Sequence, residues 1–152
     1  MNPDHQEKLV NSFPTIFKVG KTPQEYFYFG FECGDGWFDL IWKLCENLII
    51  ANFDGTALQV KEKFGGLRFY TSGGDDLSDK LIDSAEDESF HICEVCGRKG
   101  KIRSWGWVST LCFYHLFELL YKREIVFWYF KKYLINLKKR IGKRWTVEKS
   151  NN

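Results

Sequence analysis

Three of the five cysteines and one of the three histidines in this 152-residue chain fall in one stretch, CEVCGRKGKIRSWGWVSTLCFYH, residues 93–115. The spacing is Cys93-x2-Cys96, fifteen intervening residues, then Cys112-x2-His115. Two ligands two residues apart can reach one ion from a single turn of backbone, and two such pairs complete a tetrahedron. Gly97 and Gly100 let the chain turn tightly around the first pair. Three thiolates and one imidazole suit Zn²⁺ and leave no coordination position open, so the expected role of one zinc ion is structural, not catalytic. Folding of this half of the chain should then depend on the metal, by roughly 10 kcal/mol or more on the scale of zinc-finger peptides. His91 is a rival ligand that a complete Cys-Cys-Cys-His set does not need. Cys45 reads as a small core residue and Cys33 has no adjacent base to lower its pKa.

The surrounding elements have to bring the two pairs together. Between them, KIRSWGWVSTL reads as a small hairpin turning at Ser104-Trp105-Gly106, and LCFYHLFELLY opens a helix whose first turn supplies two ligands. Knuckle, hairpin and helix in that order make a treble-clef-like zinc module over 90–121. Upstream, residues 4–12 read as a short helix closed by Pro14, and 15–32 as irregular or extended. GDGWFDLIWKLCENLII is a helix with Trp37, Leu40, Ile41, Leu44, Cys45 and Leu48 at helical spacing and Asp35 placed to cap it.

LQVKEKFGGLRFYTS reads as two alternating strands flanking a Gly65-Gly66 turn. That register puts Phe64 opposite Leu67 and Lys63 opposite Arg68. It makes one apolar face of Val60, Phe64, Leu67 and Phe69, and a cationic face of Lys61, Lys63 and Arg68. Like charges across a ladder repel, so an acidic neighbour is expected there. An acidic helix follows, capped by Asp75, Asp76 or Ser78, with Leu77, Leu81, Ile82 and Ala85 as its buried stripe. The expected class is α+β: a helix and a β-hairpin packed on a zinc module as one domain over 1–121. A basic amphipathic helix over 122–145 and a frayed tail, 146–152, follow.

The charge is unevenly spread. Residues from 122 onward carry ten Lys/Arg against two Asp/Glu, and residues 1–121 carry twelve against eighteen. The basic segment has apolar residues at 126, 130, 133, 134, 137 and 141, a stripe suited to packing, to a homodimer contact or to an anionic membrane surface. With no apolar leader and no apolar run of membrane-spanning length, the expected location is cytoplasmic.

The motifs GFECGDGW, QVKEKFGGLRFY, CEVCG and GWVSTLCFYH, in this order, resemble a family of small uncharacterised proteins of bacteria and their phages or prophages. The resemblance covers about residues 25–120 and excludes the basic segment. It implies a shared zinc-binding fold and brings no mechanism, because no activity is established for the family. The functional expectation is a non-enzymatic, zinc-stabilised binding protein of mobile-element type acting through protein contacts, such as an antagonist of host defence or an immunity protein. A second reading is nucleic-acid binding, with Arg98, Lys99, Lys101 and Arg103 tracking phosphates and Trp105 and Trp107 stacking on bases, extended by Lys61, Lys63 and Arg68. A third, a metal-dependent nuclease using Glu32, Asp35 and Asp39, lacks the general-base histidine that such a module would carry between Cys96 and Cys112.

Overall fold

Asn2 opens the first helix. Its side chain accepts from the backbone N–H of His5 at 2.9 Å, and Pro3, with no N–H to satisfy, begins α1 (Pro3–Ser12). The computed structural model describes residues 1–17, 27, 30–105, 107–122, 128 and 130–133. The chain divides into two compact units, Met1–Phe113 and Tyr114–Asn152.

The first unit is α+β. Strand β1 (Phe31–Glu32) is followed by a 3-10 turn, Asp35–Trp37, and by α2 (Phe38–Ile50). Strands β2 (Thr56–Lys63) and β3 (Gly66–Ser72) form an antiparallel hairpin, and β1 lies parallel to β2 in a three-stranded sheet of order β1-β2-β3. Helix α3 (Asp76–Ser89) precedes a second hairpin, β4 (Lys101–Trp105) and β5 (Trp107–Leu111). Leu9, Phe17, Ile41, Leu48, Val60 and Leu67 meet in one core. The expected stripe of α2 is buried in full, from Trp37 through Leu48.

Four local expectations are corrected. The hairpin turns at Phe64-Gly65, not Gly65-Gly66: Lys63 pairs with Gly66, Lys61 with Arg68 and Val60 with Phe69. Both turn residues have positive φ, +54° and +81°, as a two-residue hairpin requires. Gly66 is a strand residue whose missing side chain makes room for Phe90: a Cβ there would lie 2.4 Å from that ring. The one-residue shift also moves Phe64 out of the apolar face and leaves it 69% exposed. Leu77 is exposed, because Ser78 takes the buried position in the first turn of α3. Asp35 does not cap α2. It sits in the 3-10 turn and accepts from the backbone N–H of Asn2 at 2.8 Å. The cap of α3 resolves to Asp75, which forms a reciprocal capping box with Ser78.

The free side of β3 is closed by α3. Leu67 N–H donates to the Ser89 hydroxyl at 2.8 Å and Phe69 N–H to the Glu86 carboxylate at 2.9 Å. A sheet edge is thus covered by side chains of a helix. Glu86 also lies 3.2 Å from Arg68, and Glu32 stands beside Lys61 in the parallel register, so two of the three cations of that face have an acidic neighbour.

The described part of the second unit is helical: the remainder of α4 (Phe113–Lys122) and positions 128 and 130–133. The rest of the basic helix expected over 122–145, and the tail at 146–152, lie outside the described residues. No helix among the described residues is long and apolar enough to cross a membrane.

Candidate metal centre

The knuckle begins where α3 ends. An isolated bridge joins Ile92 to Lys99, and inside it Cys93 N–H donates to the Arg98 carbonyl at 2.7 Å while Gly97 N–H returns to the Cys93 carbonyl at 2.9 Å. Gly97 holds φ +72°, where a side chain would be strained. Burial raises the Cys93 thiol above its ordinary value, opposed by backbone N–H groups of Cys112, Cys96 and Val95 directed at its sulfur. Those N–H groups favour the thiolate that a metal requires.

The second pair is delivered by the β4–β5 hairpin. Glu94 N–H donates to the Thr110 carbonyl at 3.0 Å, which sets the end of β5 beside the knuckle. Cys112 follows directly, and His115 is three residues on, in the first turn of α4, so local helical geometry fixes their separation. The ligand atoms of Cys93, Cys96, Cys112 and His115 all lie within 4.8 Å of one another, and the sulfurs of Cys96 and Cys112 are 3.8 Å apart. That is far beyond an S–S bond of about 2.0 Å, and none of the five cysteines is in a disulfide. The group could hold a metal ion. His115 Nε2 lies 3.9 Å from the Glu118 carboxylate, its i+3 neighbour on the same helix.

A segment far away in sequence clasps this knuckle. Gly34 N–H donates to the Glu94 carboxylate at 3.0 Å, Gly36 N–H to the Glu94 carbonyl at 2.7 Å, and Trp37 Nε1–H to the Ile92 carbonyl at 3.0 Å. Both glycines are obligatory for space. A Cβ on Gly34 would meet the Glu94 carbonyl oxygen at 2.3 Å, and one on Gly36 the Cys93 carbonyl oxygen at 2.1 Å and Gly97 N at 2.4 Å. In the sequence GDGW reads as the start of a helix, a reading that gives no sign of this role. Its signal was two alternate glycines just before a tryptophan, a place where another backbone can approach closely.

The other candidate residues are dispersed. Arg68 is engaged by Glu86, by the Leu67 carbonyl and by the Phe90 ring, whereas Lys61 and Lys63 lie over the rings of Tyr70 and Phe64. Arg98, Lys99 and Lys101 are exposed, Arg103 is half-buried, and Trp107 is 69% exposed; the side chain of Trp105 lies outside those described. Glu32 accepts from Gln59 and Asp35 from Asn2, and neither joins a metal-binding group with Asp39 among the described residues. His91 is exposed and stands outside the Cys/His group. Burial pushes the Cys33 thiol up to about 12 and raises that of Cys45, which makes both poor nucleophiles.

Comparison with protein-family models, curated proteins and solved structures gives no match to this chain. The description that stands is of an α+β protein with a Cys3His group able to hold a metal ion.

Proposed function

We propose that the chain is a zinc-stabilised binding protein of mobile-element type that performs no catalysis and acts through contacts with another protein. Zinc is favoured by the donor set and by its spacing. A tetrahedral site with Zn–S bonds of about 2.3 Å has edges of about 3.8 Å, the separation of the Cys96 and Cys112 sulfurs. Four protein ligands fill that tetrahedron, so the ion organises the fold and offers no position to a substrate.

The observation that carries the protein-contact reading is Phe64. A bulky aromatic stands at φ +54° on the tip of the β2–β3 hairpin, 69% exposed, with Lys63 over its ring. Left-handed backbone costs an ordinary residue about 1–2 kcal/mol, and the exposed ring recovers little of this by burial. Asn or Gly would serve the turn better. An unfavourable aromatic held in the open fits an anchor that is buried only in a complex.

The test is capture from lysate of a bacterial host, with and without nuclease, using the parent and a Phe64→Asn variant. The reading expects a nuclease-resistant protein partner that the parent retains and the variant loses, with the variant's metal content unchanged. Capture abolished by nuclease, or equal capture by both chains, overturns it.

A further inference from the structure

We propose that the face of the β4–β5 hairpin carrying Lys101, Arg103 and Trp107 is a binding surface for single-stranded nucleic acid. This goes beyond the protein-contact reading and stands independently of it. In the pairing of β4 with β5, Lys101 faces Leu111, Arg103 faces Ser109 and Trp105 faces Trp107, so Lys101, Arg103 and Trp107 share one face of the ribbon. Arg98 and Lys99 lead into the same strand and are exposed. From Val95 to Phe117 the sequence has no Asp or Glu.

Among the described residues, Arg98, Lys99, Lys101 and Arg103 form no ion pair, whereas the body's Lys43 and Arg68 are matched by Glu88 and Glu86. Positive charge on this strip is therefore left without an acidic partner among the described residues. The Arg103 side chain adds a second sign. Its Nε is buried with no hydrogen-bond partner among the described residues. An orphaned guanidinium N–H is costly, and rotation of the fork toward a phosphate would satisfy it with two parallel bonds.

The exposed Trp107 decides between anionic partners. Alternate residues on a strand repeat at about 6.7 Å, a stride that an extended single strand can follow with its phosphates on the cations and a base on the indole. Base–aromatic stacking contributes about 1–3 kcal/mol per base and is tolerant of sequence. A duplex keeps its bases stacked inside and an acidic peptide has none, so neither makes use of the indole in this way.

The experiment is fluorescence anisotropy of a fluorescein-labelled twenty-nucleotide oligodeoxythymidylate titrated with the metal-loaded full chain. Three variants run beside the parent: Lys99→Glu with Lys101→Glu, the milder Lys99→Gln with Lys101→Gln, and Trp107→Ala. Each is first checked for the parent's metal content. The basic C-terminal segment adds a background common to all four chains. Each phosphate contact contributes about −0.7 to the slope of log affinity against log salt on a single strand. Either double variant is expected to weaken binding at least tenfold and to flatten the slope by about 1.4. Trp107→Ala is expected to weaken binding about tenfold with the slope unchanged. Duplex of the same length and poly-L-glutamate should compete poorly. Undetectable binding, affinity unmoved by Trp107→Ala or by the milder double variant, or displacement by poly-L-glutamate as effective as by unlabelled oligonucleotide overturns the proposal.

Discussion

Gly36 gives its backbone N–H to the carbonyl oxygen of Glu94 at 2.7 Å, and only a glycine lets the two backbones come so close. Glu94 sits between Cys93 and Cys96, and Gly36 sits one residue before the buried Trp37 that leads into α2. The ligand knuckle and the helical core therefore share one seam. Gly36→Ala places a methyl group 2.1 Å from the Cys93 carbonyl, and backbone on either side cannot yield as a flexible side chain would. Overpacking of this kind costs about 1–3 kcal/mol. The variant is expected to lose stability by that amount in urea denaturation and to surrender metal to a chelator sooner than the parent, although residue 36 is no ligand.

Metal removal should be felt along the same seam. The Trp37 indole donates to the carbonyl of Ile92, the residue next to Cys93. Chelation, or Cys96→Ser, is expected to lower the thermal midpoint by at least about 10 °C, since each kcal/mol is worth several degrees in a domain of this size. The Nε1–H resonance of Trp37 should shift in the same experiment. A chelated protein with an unmoved midpoint and an unmoved Trp37 resonance would show that the Cys/His group is dispensable to the fold.

The hairpin tip offers a test with the opposite sign. Phe64 holds a left-handed backbone and lies exposed, so Phe64→Asn removes strain and sacrifices little packing. It is expected to raise stability by up to about 1 kcal/mol, measured by denaturant midpoint. A loss of more than that amount would mean that the ring packs within the fold.

What could be read in advance follows from how local each signal is. The gathering of the two Cys/His pairs, the stripe of α2 and the strands of both hairpins depend on spacings within a few residues, and the structure brings each about. The turn slipped by one residue because Gly65-Gly66 satisfies the usual rule for a tight turn, while the reason for Gly66 is the ring of Phe90, distant in sequence. The same holds for Gly34 and Gly36, whose partner is Glu94, and for Asp35, whose partners are Asn2 and His5. A glycine needed for close approach looks like a glycine needed for a turn until the approaching chain is known. A charged residue ahead of a helix likewise looks like its cap until a tertiary partner claims it.

Ser89 is another residue with nothing local to mark it. It is fully buried, and its hydroxyl accepts the N–H of Leu67 on the edge of β3. Ser89→Ala leaves that N–H buried without a partner, at a cost of about 1–3 kcal/mol. Thermal and denaturant unfolding should show that loss with the metal content unchanged. Amide exchange at Leu67 should quicken more than at Arg68, whose N–H faces β2.

The last expectation concerns pH. The backbone N–H of Asn2, first, and the His5 side chain at 3.0 Å hold the Asp35 carboxyl below the usual carboxylate range, against a smaller opposing effect of burial. A carboxylate lowered by folding stabilises the native state at pH values above its unfolded value, about 3.9. That stabilisation fades as pH falls through this value and on through the folded one. Asp35→Asn keeps the shape and removes the charge, so the parent should exceed the variant in stability at pH 6 to 7. The difference should shrink steadily below about pH 4. Denaturation curves of both chains across that range read it directly, and a gap that stays constant down to pH 3 would show that the Asp35 charge does not tie the N-terminal helix to the turn before α2.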